Sequence, residues 1–267
     1  MFTFSKFLRH VGTALALAAA SLASHAAPTT QLGFLIDASG SIGTSNFNTM
    51  RSGYAAALAA LPTDGSIEVT IYTFASGTVQ VVKPTVIDSV ATLNTVIASV
   101  NGMAYTGGGT DTAAGINVIT AAMIGSSNFN AGLSSMVNIA TDGVPNSAPA
   151  AITAATNAHA AGIDSLTAEF IGQSSGANFL KDLVFSPIKG PCTGCGTLLP
   201  VNSTPTDPMT TNPWVLPVNS FDDFPTAIKT KILVATGQVP EPGVLMLLAV
   251  GLVGMAAARR RSARQEQ

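Results

Sequence analysis

The sequence predicts a Rossmann-like α/β fold, in which a doubly wound and mostly parallel sheet is covered by helices on both faces. Two observations lead to this prediction. Short apolar runs recur along the chain without strict polar alternation, as expected for strands that are buried on both sides. Segments with a helical spacing of apolar residues separate these runs, and such β-α alternation produces a parallel sheet with crossover helices.

The predicted strands are short and rich in β-branched or aromatic residues, which suit a pleated and buried surface. We predict strands at residues 32–36, 67–74, 79–82, 136–140 and 163–171. The third of these is expected to be a hairpin partner of the second, or an edge beside it.

The predicted helices fill the intervals between the strands and carry apolar residues three or four positions apart. We predict them at residues 47–61, 88–100, 113–123, 149–161, 178–185 and 221–234. Thr44 or Ser45 is expected to cap the first helix, because a hydroxyl can accept from the free amides of a first turn. Pro62 is expected to close that helix, because proline cannot continue it.

The amino-terminal residues 1–26 have the pattern of a secretory signal peptide. Lys6 and Arg9 form a short basic region, an apolar stretch follows, and small residues precede a cut after Ala26 or Ala27. The apolar stretch is too short to span a membrane comfortably. We therefore expect export.

Residues 238–267 form a second removable segment. Pro240, Glu241 and Pro242 precede the apolar run 244–258, and arginines follow it. The fifteen residues of that run would cover about 22 Å as a helix, less than a hydrocarbon core of roughly 30 Å. This order resembles the PEP-CTERM sorting tail of Gram-negative bacteria. The resemblance implies transient inner-membrane anchoring by a short transmembrane helix and cleavage by an exosortase-type enzyme, with a permanent anchor as the alternative.

The charge of the remaining chain argues against nucleic acid as a partner. Of the 12 basic and 14 acidic residues, 6 basic and 2 acidic ones lie in the two end segments, so 6 basic and 12 acidic residues remain, a net charge of −6. A chain with this balance has no basic surface to displace counterions from phosphates. The negative net charge favours a cation as the partner instead of a nucleic acid.

Residues 186–219 interrupt the strand and helix rhythm. They are rich in proline, show no clear period, and contain Trp214 together with Cys192 and Cys195. We expect a long ordered loop, or a late edge strand with an insertion. Zinc normally needs four ligands, and export favours oxidation, so we expect a local disulfide, with a free or redox-active pair as the alternative.

Hard oxygen donors follow two predicted strands and one glycine-rich loop. Asp37, Ser39 and Ser41 come directly after the first strand, Thr110 follows the glycines at 107–109, and Asp142 follows the strand at 136–140. The carboxyl ends of parallel strands lie at one edge of a sheet, so these side chains are expected to converge. Carboxylate and hydroxyl oxygens suit Mg²⁺, Mn²⁺ or Ca²⁺. The pattern predicts a cation site.

The order Asp-x-Ser-x-Ser, Thr, Asp resembles the von Willebrand factor type A domain and its metal-ion-dependent adhesion site (MIDAS). The resemblance spans nearly all of residues 27–237. It implies that Ser39, Ser41 and Thr110 bind the ion through their hydroxyls, and that Asp37 and Asp142 act directly or through water. Thr112 is the alternative to Thr110, and Asp111 is expected to lie nearby.

The resemblance implies an adhesion protein rather than an enzyme. The ion, Mg²⁺ first with Mn²⁺ or Ca²⁺ as alternatives, is expected to engage a carboxylate of a protein or polysaccharide partner at the cell envelope, cell surface or extracellular matrix. One alternative is a structural matrix protein whose ion only stabilises the fold. A metal-dependent hydrolase is the lesser alternative, because His159 is the sole histidine outside the end segments and lies on a predicted helix.

Overall fold

The computed structural model of the protein describes residues 27–238. Seven strands lie within this range: β1 (Thr30–Asp37), β2 (Ile67–Phe74), β3 (Thr78–Val86), β4 (Ser134–Thr141), β5 (Ser165–Ile171), β6 (Thr197–Leu198) and β7 (Trp214–Val218). They form one sheet in the order β3-β2-β1-β4-β5-β7-β6. All neighbouring strands pair in parallel except β2 and β3, which are antiparallel. The sheet is therefore mostly parallel, as predicted.

Five α-helices and one 3₁₀ helix connect the strands in the described range. They are α1 (Gly43–Leu58), α2 (Val90–Asn101), α3 (Thr112–Ile124), α4 (Ala148–Ala160), the 3₁₀ helix (Ser174–Asp182) and α5 (Phe224–Ala235). The side chains of Ser89, Asp111 and Ser147 cap α2, α3 and α4 by accepting from backbone amides of the first turn.

Two apolar cores hold helices on the two faces of the sheet. On one face, Leu32, Phe34 and Ile36 of β1 pack with buried residues of α1, α2 and α5. On the other face, Leu35 of β1 and Ile139 of β4 pack with buried residues of α3 and α4. Successive residues of one strand thus face opposite cores. The predicted doubly wound arrangement is confirmed.

The adjacent strands β1 and β4 lead to helices on opposite faces. The chain enters α1 after β1 and α4 after β4, and these helices belong to different cores. Because β1 and β4 pair in parallel, their carboxyl ends lie at the same edge of the sheet. Ligands of open α/β sheets bind at such a switch point, where the diverging connections leave a crevice.

The start of α1 differs from the prediction. The helix begins at Gly43, and Ile42 at its N-cap makes no side-chain hydrogen bond, so the predicted cap at Thr44 or Ser45 is wrong. Gly43 has a φ of +71°, a conformation that glycine adopts without a steric cost. The backbone therefore turns into α1 through a glycine and not through a hydroxyl cap.

The predicted helix at residues 178–185 is shifted and wound differently. The structure has the 3₁₀ helix Ser174–Asp182 instead. Phe185 has left the helix because its amide and carbonyl both bond to Leu166 of β5, at 3.0 Å each. A strand contact from the sheet thus outweighs the local helical pattern.

Residues 186–219 contribute more to the sheet than an insertion would. Strand β7 pairs in parallel with β5, one place in from the edge of the sheet, and β6 forms the edge beyond it. Trp214, the first residue of β7, is buried. The segment thus supplies the predicted edge strand, which is β6, and a second strand, β7, that the sequence did not predict.

No helix among residues 27–238 is long and apolar enough to cross a membrane. The predicted signal peptide at 1–26 and the predicted short transmembrane helix at 244–258 lie outside the described residues.

Candidate metal site

Asp37 stands at the carboxyl end of β1 and is fully buried. Its Oδ1 accepts a hydrogen bond from the amide of Ser39 at 2.7 Å, and its Oδ2 accepts one from the hydroxyl of Thr141 at 2.5 Å. These bonds join the ends of β1 and β4 and hold the carboxylate in one orientation.

A row of oxygen atoms leads from this carboxylate towards the surface. The hydroxyl of Ser39 lies 3.2 Å from that of Ser41, and Ser41 donates to Oδ1 of Asp142 at 2.6 Å. Ser39 is buried, Asp142 is half-buried and Ser41 is exposed. The row therefore has an interior end and a solvent end.

Thr110 joins the row from the loop before α3. A Cβ built at Gly143 would lie 3.2 Å from Oγ of Ser41 and 3.3 Å from Oγ1 of Thr110, so these two hydroxyls border the same small space. The amide of Thr110 donates to Oδ1 of Asn146 at 2.9 Å, and its carbonyl accepts from the amide of Asn146 at 2.8 Å. Glycine at position 143 keeps that space open, because a side chain there would press on both hydroxyls.

The glycine-rich loop is bound directly to the loop after β1. The amide of Gly40 donates to the carbonyl of Gly108, and the amide of Gly107 donates to the carbonyl of Ala38, both at 2.9 Å. Gly107 and Gly108 have φ values of +68° and +90°, which other residues rarely adopt. The two loops therefore approach through their backbones, and this approach brings Thr110 to the site.

Both carboxylates of the site are held in an environment that disfavours their charge. Burial raises the pKa of Asp37, the hydrogen bonds from Ser39 and Thr141 oppose this, and the charge of Asp142 raises it further. Burial also raises the pKa of Asp142, against the hydrogen bond from Ser41. Among residues 27–238, neither carboxylate forms a salt bridge. A cation at this position would stabilise both charges.

The donors fit a hard divalent cation. Asp37, Ser39, Ser41, Thr110 and Asp142 present only carboxylate and hydroxyl oxygens. The described chain contains no group of three or more His, Cys, Asp and Glu residues arranged to hold a metal. The five candidate ligands are two carboxylates and three hydroxyls. They therefore differ from the His and Cys ligands of a typical zinc site.

Three further residues were considered from the sequence, Asp111, Thr112 and His159. None of them belongs to the row of oxygens. The carboxylate of Asp111 accepts from the amide of Ala114 and caps α3, while Thr112 is the buried first residue of that helix. His159 is exposed near the carboxyl end of α4, and its ring packs edge-on against Phe185 at 5.1 Å between centroids. The site lies before the first residue of α4, at the other end of the helix.

Cys192 and Cys195 are paired as a disulfide in the structure, with Cα atoms 5.2 Å apart. The pair clamps the loop that precedes β6, and the amide of the neighbouring Gly196 donates to the carbonyl of Lys181. It makes no contribution to the oxygen cluster.

Sequence reasoning missed Thr141 and Asn146. Thr141 orients Asp37, and Asn146 holds the backbone of Thr110 on both sides. A signal for Thr141 was present, because a hydroxyl-bearing residue ends the strand directly before Asp142. No local sequence pattern indicates the role of Asn146, because this role depends on a contact with Thr110, which lies 36 residues earlier in the chain.

Comparison with protein families assigns most of the chain. A model of the von Willebrand factor type A domain matches residues 31–192, and a model of the PEP-CTERM protein-sorting motif matches residues 238–261. No protein of curated function is a detectable sequence relative.

Several solved structures share the fold. Proximal thread matrix protein 1 from the mussel byssus, in a structure with a zinc-occupied MIDAS motif, is 20% identical with a TM-score of 0.58, over 80% of this chain and 50% of that one. The pilus adhesin SpaC from Lactobacillus rhamnosus GG is 14% identical with a TM-score of 0.55, over 78% and 30%. The conserved hypothetical protein BatB from Bacteroides thetaiotaomicron is 14% identical with a TM-score of 0.50, over 76% and 97%. The chain thus spans about half of the mussel protein and less than a third of the adhesin.

Proposed function

The chain belongs to the von Willebrand factor type A family and carries a PEP-CTERM motif that marks it for export to the cell envelope or surface, and on this premise we propose that it is a cation-dependent adhesion protein. Asp37, Ser39, Ser41, Thr110 and Asp142 would hold the ion. Its partner would be a protein or polysaccharide that presents a carboxylate.

One observation carries the proposal: hydroxyls and carboxylates from three separate loops converge where one buried and one half-buried carboxylate lack a positive partner among the described residues. Ser41 bonds to Asp142, and Thr110 borders the space next to Gly143. Raised pKa values of Asp37 and Asp142 mark an arrangement that gains stability when a cation is supplied from outside. Mg²⁺ is the first choice, because all donors are hard oxygens.

The orientation of the row favours an external ligand. Asp37 and Ser39 are buried and would anchor the ion, whereas Ser41 is exposed beside it. When bound, the cation would supply a positive charge that attracts an acidic group of the partner. Residues of the chain hold the site in place through the bonds of Thr141 and Asn146.

The structural neighbours support a binding or matrix role but do not identify the ion or the partner of this chain. One is a thread matrix protein and another is a pilus adhesin. An enzymatic role has less support, because His159 lies at the far end of α4 and contacts Phe185.

Calorimetric titration of Mg²⁺, Mn²⁺ and Ca²⁺ into EDTA-treated protein tests the site itself. We expect saturable binding that is lost in Asp37→Asn and Asp142→Asn. Asp222→Asn is the matched control, because it removes an exposed carboxylate of the same type near α5 and should bind the ion normally. Equal binding by all four proteins would exclude the assigned ligands.

Adhesion needs a second measurement. We expect retention on immobilised alginate or on envelope extract in Mg²⁺ and release in EDTA, whereas neutral dextran should retain nothing. If the ion binds and raises the melting temperature but retention is the same in Mg²⁺ and EDTA, the ion only stabilises the fold. The structural matrix alternative would then be correct.

We assign residues 1–26 to the signal peptide, 27–237 to the domain and 238–267 to the sorting tail, with transient anchoring through residues 244–258 and processing by an exosortase-type enzyme. Deleting residues 240–261 should release the protein from the envelope into the medium or the periplasm. Unchanged retention of the deletion variant would contradict the role of the tail.

A further inference from the structure

A second polar cluster lies inside the core between the sheet, α1 and α5. Asn138 of β4 is 2% exposed, Glu169 of β5 is 0% exposed and Lys231 of α5 is 5% exposed. We call these three residues the buried triad. Tyr54 and Trp214 border it, and both are fully buried. The candidate metal site uses none of these residues.

The carboxylate of Glu169 bridges the other two members of the buried triad. Lys231 Nζ lies 3.5 Å from Oε1 of Glu169, and Nδ2 of Asn138 donates to Oε2 of the same carboxylate. Tyr54 donates its hydroxyl to Oδ1 of Asn138 at 3.4 Å. Lys231 also donates to the hydroxyl of Thr167. An amine, a carboxamide and a carboxyl group are therefore collected at one point.

The surroundings favour neutral forms of the amine and the acid. The ring centroid of Trp214 lies 5.3 Å from Lys231 Nζ, a contact that favours the charged amine, but apolar residues of α1 and α5 enclose the cluster and favour the neutral one. Burial lowers the pKa of Lys231 to about 8, although the charge of Glu169 opposes this shift. Burial raises the pKa of Glu169, against the charge of Lys231 and the hydrogen bond from Asn138. The two opposite shifts favour transfer of a proton from Lys231 to Glu169, and a neutral amine is a nucleophile.

We propose that Lys231 and Asn138 form an intramolecular isopeptide bond, with Glu169 as the group that transfers protons. The inference stands on the bridging carboxylate, the burial of all three residues and the hydrogen bond from Tyr54. It does not depend on the proposed adhesion function.

The reaction balances without an oxidant or another reactant. Lys231 gives a proton to Glu169, and the lone pair on Nζ forms a bond to Cγ of Asn138. The hydroxyl of Tyr54 stabilises the negative charge that develops on Oδ1. Glu169 then protonates Nδ2, the bond between Cγ and Nδ2 breaks, and the carbonyl is restored. The second proton of Nζ leaves through Glu169, so one amide and one molecule of ammonia replace the amine and the carboxamide.

The structure offers space for the leaving group. A cavity of about 10 Å³ is lined by Asn138 and Lys231, together with Pro208 and Ala235. A volume of this size holds about one water molecule, and ammonia is of similar size.

The cross-link would join the candidate metal site to the carboxyl end of the domain. Strand β4 ends at Thr141, directly before Asp142, and α5 ends at Ala235, directly before the sorting motif at 238–261. A bond between Asn138 and Lys231 would carry a pulling force between β4 and the tail without unfolding the residues that lie between them. Such a device suits a protein that is held at one end and loaded at the other.

Intact-mass spectrometry of the purified protein tests the proposal. We expect the wild type to be lighter than its sequence by one molecule of ammonia, relative to Glu169→Gln, which keeps the amine and the carboxamide but lacks the acid. Fragmentation of a digest should give a peptide pair linked through residues 138 and 231. Lys231→Arg should abolish the mass loss, and Lys229→Arg, which changes an exposed lysine of the same helix, should keep it.

The mass of the wild-type protein tests for the isopeptide bond even if a variant folds poorly. A wild type that carries the full sequence mass at residues 138 and 231 after complete folding would overturn the proposal. Asn138→Asp adds a chemical check, because the same bond would then release water instead of ammonia. We also expect the linked protein to melt about 10 °C above Glu169→Gln, since the bond closes a loop on the order of 100 residues. Equal melting temperatures together with the full mass would leave only a buried ion pair.

Discussion

Two regions of the molecule place carboxylates in a low-dielectric environment, and they differ in the source of the opposite charge. At the edge of the sheet, Asp37 and Asp142 are surrounded by hydroxyls and lie near each other. In the core, Glu169 lies beside Lys231 and accepts from Asn138. Burial raises the pKa of the carboxyl group in all three cases.

This difference in the source of the opposite charge indicates that the edge is a binding site and that the buried triad is a structural element. The buried triad contains an amine beside its carboxyl group, so these two groups satisfy each other and the cluster is complete without a ligand. The edge has two acidic groups and no salt bridge to a described residue, so its charge is balanced only by something from solution. A partly buried cluster of like charges is therefore the better indicator of a ligand site than burial alone.

The largest effect is expected for Lys231→Met. The variant removes the amine that lies beside Glu169 and, with it, the proposed cross-link to Asn138, which should lower the free energy of unfolding by about 3–5 kcal/mol. Urea unfolding measures the loss. Lys231→Met combined with Glu169→Gln should recover the part that the unpaired charge causes. If the single and double variants lose the same stability, the charge of Glu169 is not the cause.

Metal binding should have the next largest effect. Mg²⁺ at 100 times its dissociation constant should stabilise the folded protein by about 2.7 kcal/mol, because only the folded state assembles the donors. Thermal melting with Mg²⁺ and with EDTA measures the shift. Asp37→Asn should lose it, whereas Lys231→Met, although less stable, should retain it. Loss of the shift in both variants would show that the two regions are not independent.

The contribution of Asp37 and Asp142 to the free energy of unfolding should decrease as the pH rises. Because the folded pKa values of Asp37 and Asp142 lie above the unfolded values, the folded protein binds these protons more tightly. Without metal, their contribution to stability is therefore lost as the pH rises from about 4 through the folded pKa values. Mg²⁺ requires the deprotonated carboxylates, so its stabilising shift should grow over the same interval. Melting curves at pH 4 to 7 with Mg²⁺ and with EDTA measure both trends, and a metal shift independent of pH would contradict the assignment.

The smallest effect is expected for Tyr54→Phe. The variant removes one hydrogen bond to Asn138 and keeps the ring, which packs edge-on against Phe34, so the loss should be about 1 kcal/mol. Urea unfolding detects it. The metal shift should be unchanged. A loss as large as that of Lys231→Met would mean that the hydroxyl supports more of the core than its single contact indicates.

Most of the fold was predictable because it depends on local patterns. Apolar strands and helical spacing of apolar residues gave the correct fold class. The errors occurred where a tertiary contact outweighed a local preference. Phe185 leaves a helical pattern to bond with Leu166, and Trp214 opens a strand in a proline-rich segment because β5 offers a free edge.

The candidate metal residues were predictable for a related reason. Asp37 ends β1 and Asp142 directly follows β4, and parallel strands bring such positions to one edge. Asn146 was not predictable, because its bond to Thr110 depends on how two loops meet. Whether these residues bind a cation stays a prediction.

The sequence by itself determined the fold class, the family and the sorting motif, since these follow from periodicity and from short ordered motifs. Only the tertiary structure revealed the buried triad. Asn138, Glu169 and Lys231 come from two strands and a helix that are far apart in the chain. In the sequence, nothing distinguishes Lys231 from Lys229, the exposed lysine of the same helix. The chemistry of the buried triad exists because packing removes water from all three residues and places one carboxylate between an amine and an amide, and no local pattern encodes that distance.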